Sequence, residues 1–170
     1  MAPENEREEP PLVSDERTSL AAWLDYHRST LRLKCEGVSG PDMVRPSVPP
    51  SGLTLLGLLQ HMTVVDWWWF ERVFDGQDTP QLYVSEDDPD FEFHSLDPGS
   101  VDEALAAFDT QCARSRAIVE KAESLDALTV DPARKTRDLR WVMVHMIEEY
   151  ARHNGHADLL REAIDGNVGD

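Results

Sequence analysis

Three histidines and two glutamates crowd one stretch near the C-terminus: His145-Met-Ile-Glu148-Glu149-Tyr-Ala-Arg152-His153-Asn-Gly-His156. At about 100° per residue of α-helix, His145, Glu149, Arg152, His153 and His156 fall within an arc of about 100°. Met143, Ile147 and Tyr150 take the opposite side. A bundle helix ordinarily turns an apolar stripe inward, and here one stripe is imidazole and carboxylate. A solvated polar face is the plain alternative, but other polar stretches of this chain are rich in Asp, Glu and Arg and poor in His. Glu149 and His153 also stand one turn apart, the reach needed to chelate a single ion.

A matching donor lies far upstream. His61 sits in an apolar run, flanked by Leu58, Leu59, Met62 and Val65. Alone it would read as a core histidine satisfied by a hydrogen bond. With a donor face on another helix it reads as a metal ligand, because bundle cores build metal sites from side chains on facing helices. Trp68 follows His61 by two turns and is expected to wall the pocket, while the rest of Trp67-Trp68-Trp69-Phe70 reads as packing. Arg152 and Arg161 either meet a substrate carboxylate or pair with Asp158, Glu148 or Glu162. Asp66 is a candidate to orient an imidazole, and His27 to line the pocket. His27 and His94 lack a paired donor at metal spacing. No Ser/His/Asp nucleophile motif, P-loop or GxGxxG occurs.

Four helices must position these groups. The first is expected over Ser14 to Cys35, with Ser14 as its cap. The segment GVSGPDMVRPSVPPSG, with four prolines and three glycines, is a loop. Ser51 or Thr54 then caps a helix from near Leu53 to Asp75-Gly76 that is apolar on most faces and so largely buried. Residues 76–99 are irregular and too long for a tight turn, which lets the next helix start at the same end. That helix is expected over Ser100 to Ser124, opened by a Ser100/Glu103 capping box. The last runs from Leu139 to Ile164 and closes at Asp165-Gly166. The expected fold is an all-α four-helix bundle with a long crossover between helices 2 and 3. Residues 1–13 form a mobile acidic tail, and residues 14–170 the bundle.

The composition narrows the function classes. The chain of 170 residues carries 33 acidic against 16 basic side chains, a formal charge of −17. Such a surface repels phosphate backbones and anionic lipid, so neither nucleic acid nor membrane is an expected partner. No apolar run is long enough to span a bilayer. No basic stretch followed by an apolar one opens the chain, which points to the cytoplasm. Cys35 and Cys112 are far apart and form no CxxC, so both read as core thiols. The apolar surplus of the second helix suggests a homodimer.

The segments GLLQHMTVVDWWWFERVFDG (57–76) and LRWVMVHMIEEYARHNGHADLLREAIDG (139–166) resemble the DinB-like (YfiT-like) superfamily of metal-binding four-helix bundles. The likeness is to its actinobacterial branch, related to mycothiol-dependent enzymes, and it covers roughly residues 15–166. It implies one divalent ion held by a histidine of helix 2 and a pair four apart in helix 4: His61, Glu149 and His153. Glu149 stands where the family often has His, an acceptable exchange in a His2Glu site, and His156 and His145 are the alternates for that position. Two nitrogen donors and one oxygen donor suit zinc, nickel or ferrous iron without choosing among them, and zinc is the expected ion. The resemblance further implies a transferase or isomerase that uses a low-molecular-weight thiol of the mycothiol type on a small-molecule substrate. The competing reading is a non-catalytic, metal-stabilised dimeric module, stress-related or small-molecule-binding.

Overall fold

A computed structural model of the chain describes residues 7–130 and 135–169. Part of the expected N-terminal tail, residues 1–6, lies outside the described residues.

The chain folds into long helices for the capping and patterning reasons its sequence carries, with local differences. Helix α1 spans Glu16–Cys35. Its cap is Asp15 and not Ser14: the Asp15 carboxylate accepts from Thr18 N at 3.0 Å and from Thr18 Oγ1 at 2.6 Å. A carboxylate serves two donors at once, and Ser14 is left one residue outside the helix. One-turn helix α2 covers Gly40–Met43. Helix α3 spans Leu55–Asp66, opened by Thr54, whose hydroxyl accepts from Gly57 N at 3.0 Å. It continues unbroken as a π-helical segment, Trp67–Phe74. The sequence periodicity read this whole stretch as one regular α-helix. Instead its turns widen from Trp67, and Asp75 N reaches back five residues to Phe70 O at 3.0 Å.

One-turn helix α4, Phe91–His94, lies within the connection that leads to α5, Val101–Lys121. The expected Ser100/Glu103 capping box does not form. Ser100 makes no side-chain cap, because its hydroxyl donates to Asp97 O at 2.9 Å. Helix α5 ends at Lys121, short of Ser124. Helix α6, Leu139–Asp165, is capped by Asp138 at its start and closed by Gly166, whose φ of +79° glycine adopts without strain.

The long helices α1, α3 with its continuation, α5 and α6 form the bundle around Leu24, Leu31, Leu58, Met62, Phe70, Phe108, Met146 and Tyr150, all buried. Side-chain pairs fix the helix directions. Arg140 binds Glu16 and Asn154 binds the His27 carbonyl, so α1 and α6 run the same way. His61 meets His153 while Trp69 meets His145, so α3 and α6 run oppositely. Leu55, Leu56, Leu58, Leu59 and Met62 of the apolar α3 are all buried within one chain. No described helix is long and apolar enough to cross a membrane.

Candidate metal centre

The antiparallel contact of α3 with α6 brings His61 against the face that carries Glu149 and His153. The His61 and His153 rings lie 4.9 Å apart between centroids. His153 Nε2 is 3.6 Å from Glu149 Oε2. One donor atom from each of His61, Glu149 and His153 lies within 4.8 Å of the other two. The side chains of His61 and Glu149 are about a fifth exposed, at 21% and 22%, so the cluster opens to solvent.

A carboxylate that the sequence reading missed stands behind His61. His61 Nδ1 is 3.1 Å from Glu92 Oε1. With the Nδ1 proton donated to Glu92, Nε2 keeps its lone pair. Helix α4 supplies Glu92, and Gln60 of α3 holds α4 in place by donating to the Glu92 carbonyl at 2.7 Å and the Ser95 carbonyl at 3.2 Å. Gly57 permits this approach: a Cβ there would come within 3.1 Å of the Phe93 ring. The Phe93 ring in turn covers His61, with centroids 4.8 Å apart.

His153 is backed differently. Its Nδ1 lies 3.3 Å from Nδ1 of His156, so one ring donates to the other. Burial, with His61, His156 and Arg152 nearby, lowers the His153 pKa to about 4. The ring is therefore neutral at neutral pH, the form that ligates metals. His156 supports His153 and does not join the three converging donors. His145, the other alternate, belongs to a second group with Glu148 and Glu149. Its Nε2 is 3.5 Å from Glu149 Oε1, so Glu149 lies between His145 and His153. Trp141 stacks on His145 at 4.9 Å, Trp69 meets its edge at 4.8 Å, and the Arg137 guanidinium covers both indoles.

Of the other expected residues, Arg152 takes the expected ion pair with Glu148 and others lie elsewhere. Trp69 is an indole beside the donor face, against His145, and the Trp68 ring lies 6.0 Å from Trp67. Arg152 is 62% exposed and pairs with Glu148 at 2.5 Å. Arg161 pairs with Asp165, and donates to the Lys34 and Glu36 carbonyls at the end of α1. His27 is half-buried on α1 beside Asn154, and burial lowers its pKa. Asp66 orients no imidazole. Its carboxylate binds Arg28 Nη2 at 2.7 Å and accepts the Tyr150 hydroxyl in the closed core.

The donor set fits a divalent ion. The contacts of Glu149 with the two α6 histidines, 3.5 and 3.6 Å, are too long for strong hydrogen bonds. Two imidazoles and a carboxylate therefore converge without satisfying one another. Three protein ligands also leave positions for a further ligand. Searches of curated proteins and of solved structures found no match to the chain. The family model described as mycothiol-S-transferase matches residues 19–166. Together with the helical bundle and the residues that carried the resemblance, this match shows that the chain belongs to the mycothiol-S-transferase family, a DinB-like family.

Proposed function

We propose that the protein is a divalent-metal-dependent thiol S-transferase, with zinc the first choice of ion and a mycothiol-type thiol as cosubstrate. The observation that supports it is the convergence of His61, Glu149 and His153 within 4.8 Å in a chain of this family. An ion held by these three supplies a positive centre at which a bound thiol gives up its proton. The chain's own residues do the rest. Glu92 fixes the His61 ring, and His156 fixes His153. Glu149 would be one of the residues that hold the ion, with His145 3.5 Å from its carboxylate, and Trp69 and Trp141 flank that end of the face. The attacking thiol comes from outside the chain, because Cys35 and Cys112 are both buried and free. Free cysteines suit a reducing cytoplasm, where a low-molecular-weight thiol is abundant.

The isomerase variant uses the same centre with a different electrophile. The non-catalytic reading needs a closed, four-ligand site, and the pairing of His156 with His153 speaks against its recruitment as the fourth ligand. Metal content, with mycothiol-dependent conjugation of an electrophile, tests the proposal on wild type, His61→Ala and His153→Ala. The expected result is about one ion per chain in wild type, and in both variants no ion and at least about a hundredfold less turnover. Undiminished turnover in metal-free protein would overturn it.

A further inference from the structure

The face of α3 turned away from the donors borders a second cavity. It lies between the α3 junction with its π-helical continuation, α5, and residues 80–82, and its volume is about 290 Å³, at the lower end of small-molecule sites. We propose that it is a separate binding site for a small aromatic or acyl carboxylate, with the apolar body between the helices and the carboxylate on Arg114.

The apolar walls are Val64, Trp67, Pro80, Leu82 and Ala107. The polar residues of the lining have their donors spent. Thr63 and Thr110 each donate back to their own helix, to Leu59 O and Ala106 O, at 2.8 Å. Trp67 Nε1 donates to Thr79 at 2.7 Å. Gln111 Nε2 donates to Glu71 at 2.8 Å and to Ser115 at 3.4 Å. Thr79 also donates to Glu71, at 2.6 Å. The buried Glu71 carboxylate thus ties the Trp67 wall to the Gln111 wall, which holds the cavity in shape before a ligand arrives.

What remains for a ligand is Arg114. It is the one cation in this lining, which contains no acid. Its side chain is 56% exposed at the mouth, and its nearest acid, Glu71 Oε1, is 3.9 Å away. That contact is beyond hydrogen-bond length, so the guanidinium fork is open to a carboxylate. The rest of a surface with formal charge −17 repels anions, so a bound anion reports this guanidinium and not general attraction.

Titration of the full-length labelled protein with benzoate, read by NMR at the Trp67 indole N–H and the Gln111 side-chain amide, tests this. Saturable shifts with Kd of about 0.1–5 mM are expected. Arg114→Gln, and the neutral isostere benzamide on wild type, should each bind at least about fivefold more weakly. Ala107→Phe should abolish the shifts by filling the space, and Thr110→Leu, at an exposed position, is the second filling variant should the first not fold. His153→Ala should bind benzoate as wild type does, which separates this site from the donor cluster. No saturable shift up to about 20 mM, equal affinity for benzamide, or binding lost in His153→Ala would overturn the proposal.

Discussion

Helices α3 and α6 carry two polar clusters built from similar side chains to opposite ends. On one face of the pair, Asp66 of α3 meets Tyr150 of α6 and Arg28 of α1. On another, His61 of α3 meets Glu149 and His153 of α6. In the first cluster every partner is at most 3% exposed, and Arg28 Nη2 is 2.7 Å from Asp66. Burial works against the Arg28 charge, but the adjacent Asp66 carboxylate, together with Cys112 and Tyr150, more than offsets it and holds the pKa well above its ordinary value. In the second cluster the side chains are partly exposed, His153 stands 3.6 Å from Glu149, and one donor atom of each residue lies within 4.8 Å of the other two. Polar groups that satisfy one another hold a bundle together. Polar groups gathered without satisfying one another leave their lone pairs to a guest.

The largest expected effect breaks the first cluster. Asp66→Ala leaves the Arg28 guanidinium buried, with only the half-exposed Asp25 at 3.2 Å as its acid. Removing one partner of a buried pair typically costs about 3–5 kcal/mol. Denaturant unfolding of metal-free protein should show that loss, against less than about 1 kcal/mol for His153→Ala. Similar costs for the two variants would mean that the donor cluster is structural as well, and the contrast between the clusters would fail.

The parts of the site that the sequence made legible are those governed by spacing within one helix. Glu149 and His153 are one turn apart in a helix whose stop at Gly166 was readable, while its Asp138 cap emerged only in the structure. His61 was visible as a lone imidazole in an apolar run. What the sequence hid arises where another rule overrides periodicity. Trp69 was not singled out, because the α-helical phase counted from His61 no longer holds once the π-helical turns begin at Trp67. Ser14 and Ser100 looked like caps, but the Asp15 carboxylate took the first role, and the Asp97 carbonyl drew the Ser100 hydroxyl away from the second. Glu92 was invisible because its contact with His61 is non-local, through a one-turn helix inside an irregular acidic stretch.

Glu92 offers a sharper test of the donor cluster than deletion of a ligand does. Glu92→Ala removes the acceptor for His61 Nδ1 but leaves all three proposed ligands in place. Loss of such an outer partner typically lowers metal affinity by about 10–100-fold. Competition with a chromophoric chelator should read that drop. Glu92→Gln, which keeps an acceptor oxygen, should recover most of the affinity. Unfolding of the metal-free variants should change far less than in Asp66→Ala, since the His61 side chain is 21% exposed and keeps access to water. An unchanged affinity in Glu92→Ala would mean that the ring is held by Phe93 packing alone.

The smallest expected effect concerns thiols, and it separates the clusters by reactivity. Cys112 belongs to the closed side, with its sulfur 3.9 Å from the Tyr150 hydroxyl, and Cys35 lies in the core near the end of α1. Burial pushes both thiols up to about 12, so at neutral pH each stays protonated and non-nucleophilic. Neither sulfur should react with an aromatic disulfide reagent in the native protein, and both should react once it unfolds. The double variant Cys35→Ala/Cys112→Ala should keep thiol-dependent turnover within about twofold of wild type, corrected for its folded fraction, as expected when the reacting sulfur is borne by a cosubstrate. A turnover that collapsed with either cysteine would transfer the chemistry from the open cluster to the chain's own core and remove the reason for an external thiol.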